Sequence, residues 1–165
     1  MKIAFTGPES CGKSTMATWF ASAFQLSLSE EFARTYLATR SSYEQLDLDR
    51  ICEGQLEHWK SLGNTFVADT EMTVLKVWSN YRYKEVSPLI SQAYSEQLFD
   101  HYFLCAPDIP WEADPLRENA TNRDELFDLY LHELNDLNRP FTILYGSVSE
   151  RQKVCESVWK SLVNA

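Results

Sequence analysis

Ile3-Ala4-Phe5-Thr6-Gly7-Pro8-Glu9-Ser10-Cys11-Gly12-Lys13-Ser14-Thr15 is the stretch that decides the fold of this chain. Ile3 to Thr6 lacks polar alternation and reads as a buried strand. Gly7 to Ser14 then matches the spacing G-x-x-x-x-G-K-[ST], and Lys13 to about Phe24 reads as a helix with Trp19, Phe20 and Phe24 on its apolar side. Gly7 and Gly12 let the backbone turn so that successive N–H groups point at one anion. The positive end of the following helix adds to that field. Lys13 is placed to reach the β- and γ-phosphates of a nucleoside triphosphate, and the Ser14 hydroxyl to ligate a bridging magnesium ion. Thr15 falls one residue deeper, near the α-phosphate. Gly7, Glu9, Ser10, Cys11, Gly12, Lys13, Ser14 and Thr15 are therefore the candidate ATP-binding residues. A chance glycine-rich turn would not come with both the strand and the helix.

Outward from the loop, the chain alternates short apolar runs with helical patterns, which is the signature of a parallel sheet covered by helices. Further strands are expected at 26–29, 65–69, 102–105 and 141–145. The intervening helices are expected at 31–39, 43–62, 71–83, 88–98, 122–137 and 149–163. On the 43–62 helix, Leu48, Ile51, Gln55, Trp59 and Leu62 share one face, and only Gln55 is polar. The expected fold is α/β: a P-loop NTPase with a five-stranded parallel sheet sandwiched between helices. One domain spans 1–165, with a lid at about 108–123.

With 165 residues there is room for one core. A net charge of -9 gives a surface that repels nucleic-acid phosphates, so phosphate affinity must come from a focused site. No apolar run is long enough to span a bilayer, and the N-terminus is broken by Gly and Pro too early for a signal peptide. Cys11, Cys52, Cys105 and Cys155 form no C-x-x-C pair, and three of them sit in apolar or helical contexts and read as reduced core residues of a cytosolic protein. Cys11, near a helix N-terminus, is expected to favour its thiolate and to be open to alkylation. The expected partner is a small molecule, with neither nucleic acid nor membrane.

In open α/β sheets ligands bind beyond the carboxyl ends of the strands. Glu30 and Glu31 fall there after the second strand, and Asp69 after the third. Asp69 reads as a Walker-B-like acid that either holds magnesium or accepts the proton of an acceptor hydroxyl. Glu31 and Arg34 are spaced i, i+3 on one helix, which suits either a cleft-facing pair or a surface ion pair. Which of Glu31 and Asp69 is the general base stays open at this point.

Between the fourth strand and the next helix, Pro107 to Arg117 carries Trp111, three acids and an arginine. A kinase has to keep water from its transferring phosphoryl group, and lid arginines can stabilise charge on it. Arg117 and Arg123 are the candidates, with solvated salt bridges to Glu118 or Asp124 as the alternative.

Four blocks together resemble the nicotinamide riboside kinases of the NadR type: GPESCGKST, EEFART, DTE and PDIPWEADPLREN with NRDELF. The resemblance runs from Lys2 to the last helix, and the three later blocks are more specific than the loop. It implies ATP-dependent phosphorylation of the ribose 5′-hydroxyl of nicotinamide riboside, giving nicotinamide mononucleotide for NAD synthesis. On that resemblance Glu31, Arg34 and Asp69 face the nucleoside, Arg117 and Arg123 belong to the lid, and Trp111 closes from it. Pro115 stands where that lid block usually has glycine, so a glycine hinge is absent. The resemblance also implies a kinase without the DNA-binding or adenylyltransferase parts of larger relatives.

A flat cationic ring favours an aromatic face with acids nearby, and Tyr36, Trp78 and Tyr81 are stacking candidates. Trp78 and Tyr81 also share the apolar stripe of their helix, which suits plain core packing. Adenine contacts are expected at the Gly146-Ser147 turn. Two other readings remain at this stage: a kinase of another nucleoside or small alcohol, and a regulatory ATPase acting on a partner. The second normally needs more chain and an arginine supplied in trans.

Overall fold

The computed structural model describes residues 1–113 and 121–164. Its centre is a sheet of five parallel strands in the order β2-β3-β1-β4-β5. The strands are β1 (Lys2–Thr6), β2 (Ser27–Ser29), β3 (Phe66–Asp69), β4 (His101–Cys105) and β5 (Phe141–Leu144). β1 lies between β3 and β4, so the loop that leaves it opens where the chain direction across the sheet reverses. That switch point is where open α/β sheets bind ligands.

Side-chain parity along the strands sorts the core into two layers. Ile3, Phe5, Val67, Phe103 and Cys105 point to one face, where α1 (Lys13–Phe24) and α7 (Val148–Val163) cover them. Phe5 stacks on Phe103 at 5.0 Å between ring centroids, and Phe20 meets Phe5 edge-on at 5.6 Å. Ala4, Phe66, Ala68, Tyr102 and Leu104 point to the opposite face. There they pack against α2 (Phe32–Leu37), α3 (Gln45–Leu62), α4 (Met72–Tyr83), α5 (Pro88–Glu96) and α6 (Arg123–Asp136). The α/β sandwich expected from the apolar runs is thus the observed one. No helix among the described residues is long and apolar enough to cross a membrane.

The lone polar residue on the inner face of α3 has a structural task. Gln55 Nε2 donates to Ser29 Oγ at 2.9 Å, and Gln55 Oε1 accepts from the Phe32 amide at 3.0 Å. It joins the end of β2 to the start of α2 and so sets the short segment carrying Glu30 and Glu31. Gln97 does the same beyond β3, accepting from the Met72 amide at 3.0 Å. Between Asp69 and Glu71, the β-branched Thr70 is held at φ 75°, a conformation that costs roughly 1–3 kcal/mol. The Thr70 amide is tied to the Phe5 carbonyl at 3.1 Å, which fixes the strand end where Asp69 stands.

Candidate active site

The loop from Gly7 to Gly12 closes over the carboxyl end of β1, and Gly12 caps α1 with φ 84°. Gly7 sits at φ 131°, and a Cβ there would lie 2.7 Å from the Cys105 carbonyl oxygen, so the loop can pass the end of β4 only as glycine. Ser10 also takes a left-handed conformation, φ 52°.

Three cationic side chains grip the carbonyls of this loop. Lys13 Nζ donates to the Pro8 carbonyl at 2.6 Å. Arg123 Nη1 donates to the carbonyls of Ser10 and Ile109, both at 3.0 Å, and its guanidinium lies 5.7 Å from the centre of the Trp111 ring. Arg151 Nη1 donates to the Cys11 carbonyl at 2.6 Å. The candidate lid segment touches the loop as well, with the Glu112 amide donating to Ser10 Oγ at 2.9 Å.

The loop borders a cavity of about 310 Å³. Its far wall includes Glu31, Arg34, Trp78, Tyr81 and Tyr130, and Ile109 and Glu112 close one side. Glu31 accepts from Arg34 Nε at 3.0 Å, so the i, i+3 pair is formed on the cavity wall. Asp69 is buried at the end of β3, and its Oδ1 has no hydrogen-bond partner among the described residues.

The charges of the site are coupled. Burial lifts the Asp69 carboxyl above its ordinary range, countered in part by the Ser14 hydroxyl, Lys13 and Arg34. Burial also lifts Glu31, against Lys13, with the Asp69 charge adding to the rise. Lys13 is held above the usual lysine value: burial opposes its charge, but Cys11, Glu31 and Asp69 outweigh it. The Cys11 thiol is fully buried, and burial alone would raise it. Its hydrogen bond with Cys105 and the charges of Lys13 and Arg151 bring it down to about 6.

Of the residues singled out in the sequence, the loop residues, Glu31, Arg34, Trp78 and Tyr81 border this one cavity. Asp69 stands behind Lys13 and Ser14 rather than on the cavity wall. Trp111 faces Arg123, and Tyr36 points the other way, donating to Asp47 Oδ1 at 2.7 Å under the Arg40 guanidinium. Arg117, with Asp114 and Pro115, lies outside the described residues. The Gly146 turn meets Asp108, whose Oδ2 accepts from the Gly146 amide at 2.6 Å.

Three further residues stand in or beside the site. Tyr130 sits on an apolar stripe and reads as core, though it also borders the cavity. Glu71 is buried at the N-cap of α4, where it accepts from the Thr73 amide and hydroxyl, each at 2.7 Å. Arg151 is a charge on the same helical stripe as Cys155, Val158 and Leu162, and it is 1% exposed.

Residues 2–151 match the family model described as AAA domain. The trifunctional NAD biosynthesis/regulator protein NadR of Escherichia coli (strain K12) is 25% identical over 150 residues, covering 84% of this chain. The matched stretch spans 37% of that relative's length. Among solved structures, a NadR protein in complex with NAD and AMP-PNP superposes with a TM-score of 0.77 at 18% identity, over 96% of this chain and 48% of that one. The same comparison with a NadR protein in complex with NR gives 0.76, again at 18% identity, with the same coverage. Thymidylate kinase from Ehrlichia chaffeensis gives 0.62 at 14% identity over 98% of both chains. At these identities the structural likenesses speak for the fold, which is that of the P-loop kinases.

Proposed function

The chain belongs to the AAA domain family, and on that footing we propose that it is an ATP-dependent kinase that phosphorylates the ribose 5′-hydroxyl of nicotinamide riboside. The observation that carries this reading is a single one. A phosphate loop and a carboxylate, Glu31, border the same cavity, with Trp78 and Tyr81 on its wall. A donor site and an acceptor site would share one cavity, as in-line transfer requires.

ATP lays its phosphates along Gly7 to Thr15. Lys13 leaves the Pro8 carbonyl and pairs with the β- and γ-phosphates. Ser14 and the unpartnered Asp69 Oδ1 suit a magnesium ion, a hard cation that takes oxygen ligands and keeps several waters, and the ion would supply charge neutralisation. Glu31 borders the cavity and Asp69 does not, so Glu31 takes the role of proton acceptor. The 5′-oxygen bonds to the γ-phosphorus, the bond to the β,γ-bridging oxygen breaks, and the hydroxyl proton passes to the Glu31 carboxylate. The products are nicotinamide mononucleotide and ADP. Arg34 holds Glu31 in place, and Arg123 keeps the lid against the loop.

The choice of acceptor is supported by the aromatic wall beside acidic groups, which suits a flat cationic ring, and by the likeness to NadR proteins, one of them in complex with NR. Four free, buried thiols agree with a reducing cytoplasm, which we take as the compartment. Mass spectrometry of the products from magnesium-ATP and nicotinamide riboside tests the reading. Nicotinamide mononucleotide and ADP in equal amounts are expected, and ADP without a phosphorylated nucleoside would refute it.

A further inference from the structure

Arg151 is a cation buried beside an apolar layer, an arrangement that is costly unless every donor finds a partner. Its partners are spread over three loops. Nε donates to the Gly146 carbonyl at 3.0 Å, Nη1 to the Cys11 carbonyl at 2.6 Å, and Nη2 to the Ala106 carbonyl at 2.9 Å and to Asp108 Oδ1. Only a planar guanidinium supplies that many donors in a fixed fork; an ammonium cannot.

The bond to Cys11 has a directional effect. In a trans peptide the carbonyl and the following N–H point in opposite directions. Anchoring the Cys11 oxygen on Arg151 from outside therefore holds the Gly12 N–H toward the inside of the loop. Arg123 does the same one residue earlier, since its bond to the Ser10 oxygen aims the Cys11 N–H inward. Lys13 is the third cation on the loop's carbonyls, but it has to leave Pro8 to serve a phosphate, whereas Arg151 is locked by Asp108 and two further carbonyls.

We propose that Arg151 is a positioning residue for the triphosphate, acting through the Cys11–Gly12 peptide and held in its pose by Asp108. The site it serves is the phosphate loop, and the ligand it favours is a polyphosphate chain rather than the base. The proposal rests on the triphosphate-binding reading of the loop but not on the identity of the acceptor. Its test therefore contains no acceptor.

The probes are magnesium-ATP and magnesium tripolyphosphate, each displacing a fluorescent ATP analogue, with the melting temperature as a control for folding. Arg151→Lys is expected to weaken both probes by the same factor, about tenfold, in a protein that still melts cooperatively. Unchanged tripolyphosphate binding by the folded variant would overturn the proposal, as would a loss confined to ATP, which would assign Arg151 to the base loop instead. Asp108→Asn changes a partly exposed side chain and keeps an oxygen that can accept from Arg151, a milder change than Arg151→Lys, with cooperative melting again the control. It is expected to weaken tripolyphosphate about threefold, and no change there would overturn the proposal equally.

Discussion

The Lys13 ammonium donates to the Pro8 carbonyl at 2.6 Å, folded back across the loop that it belongs to. The contact satisfies a partly buried cation, and a triphosphate has to compete with it. Lys13 is thus both a charge available to ATP and part of the loop's own bonding.

Lys13→Ala is expected to abolish turnover, with magnesium-ATP affinity reduced at least about tenfold. Loss of a charge-assisted contact worth about 1.5–3 kcal/mol accounts for that factor. Turnover near the wild-type rate would contradict the assignment of the loop.

Asp69→Asn is expected to slow transfer by at least about a hundredfold, since several kcal/mol of charge stabilisation through the metal depend on it. Stability moves the other way. Burial raises the folded-state pKa of Asp69, so its contribution is full in acid and is lost as pH rises through that raised value. The Asn variant should therefore melt above the wild type at pH 8, with the gap closing toward pH 4. Calorimetric melting across that range checks the sign; a variant less stable at pH 8 would contradict it.

Glu31→Gln is expected to lower kcat by roughly 10²–10⁴ while leaving the KM for ATP within about twofold. Because burial holds the Glu31 carboxyl above its ordinary range, the acid limb of kcat should lie above that range in the wild type. A limb at an ordinary carboxylate pKa, or a Gln variant with normal kcat, would move the base elsewhere.

Cys11 is expected to react with iodoacetamide through transient opening of the loop. Its labelling rate should rise through about pH 6 and level off by pH 7 to 8. Cys52 and Cys155, whose thiols burial pushes up to about 12, should stay unlabelled there. Magnesium-ATP should suppress the reaction. A rate that keeps rising to pH 9, or no protection by ATP, would contradict the picture of a thiolate under the phosphate loop.

What was legible in the sequence is what depends on neighbours along the chain. Gly7 to Thr15 specify their own turn, because glycine tolerance and helix capping are local. The strands announce themselves by apolar runs, and Asp69 and Glu31 by standing where those runs end. Gln55 stood out as the lone polar residue on an apolar helix face, though nothing nearby named Ser29 and Phe32 as its partners.

The partners of Arg151 were not legible. This residue touches Cys11 across 140 positions of sequence, and although the spacing of α7 sets it on one stripe with Cys155, Val158 and Leu162, that spacing names none of its partners. Trp111 stood out as a lid aromatic, while its contact with the Arg123 guanidinium was not legible. Long-range contacts decide both cases, and single-chain spacing does not encode them.

The central claim is that the cavity beyond the phosphate loop accepts a nucleoside with a cationic ring. Initial rates of ADP release from magnesium-ATP, measured in one series with nicotinamide riboside, adenosine, uridine, thymidine and no acceptor, test it most directly. The account predicts negligible release without acceptor and the highest kcat/KM with nicotinamide riboside. Equal release without acceptor, or a higher kcat/KM with another nucleoside, would contradict it.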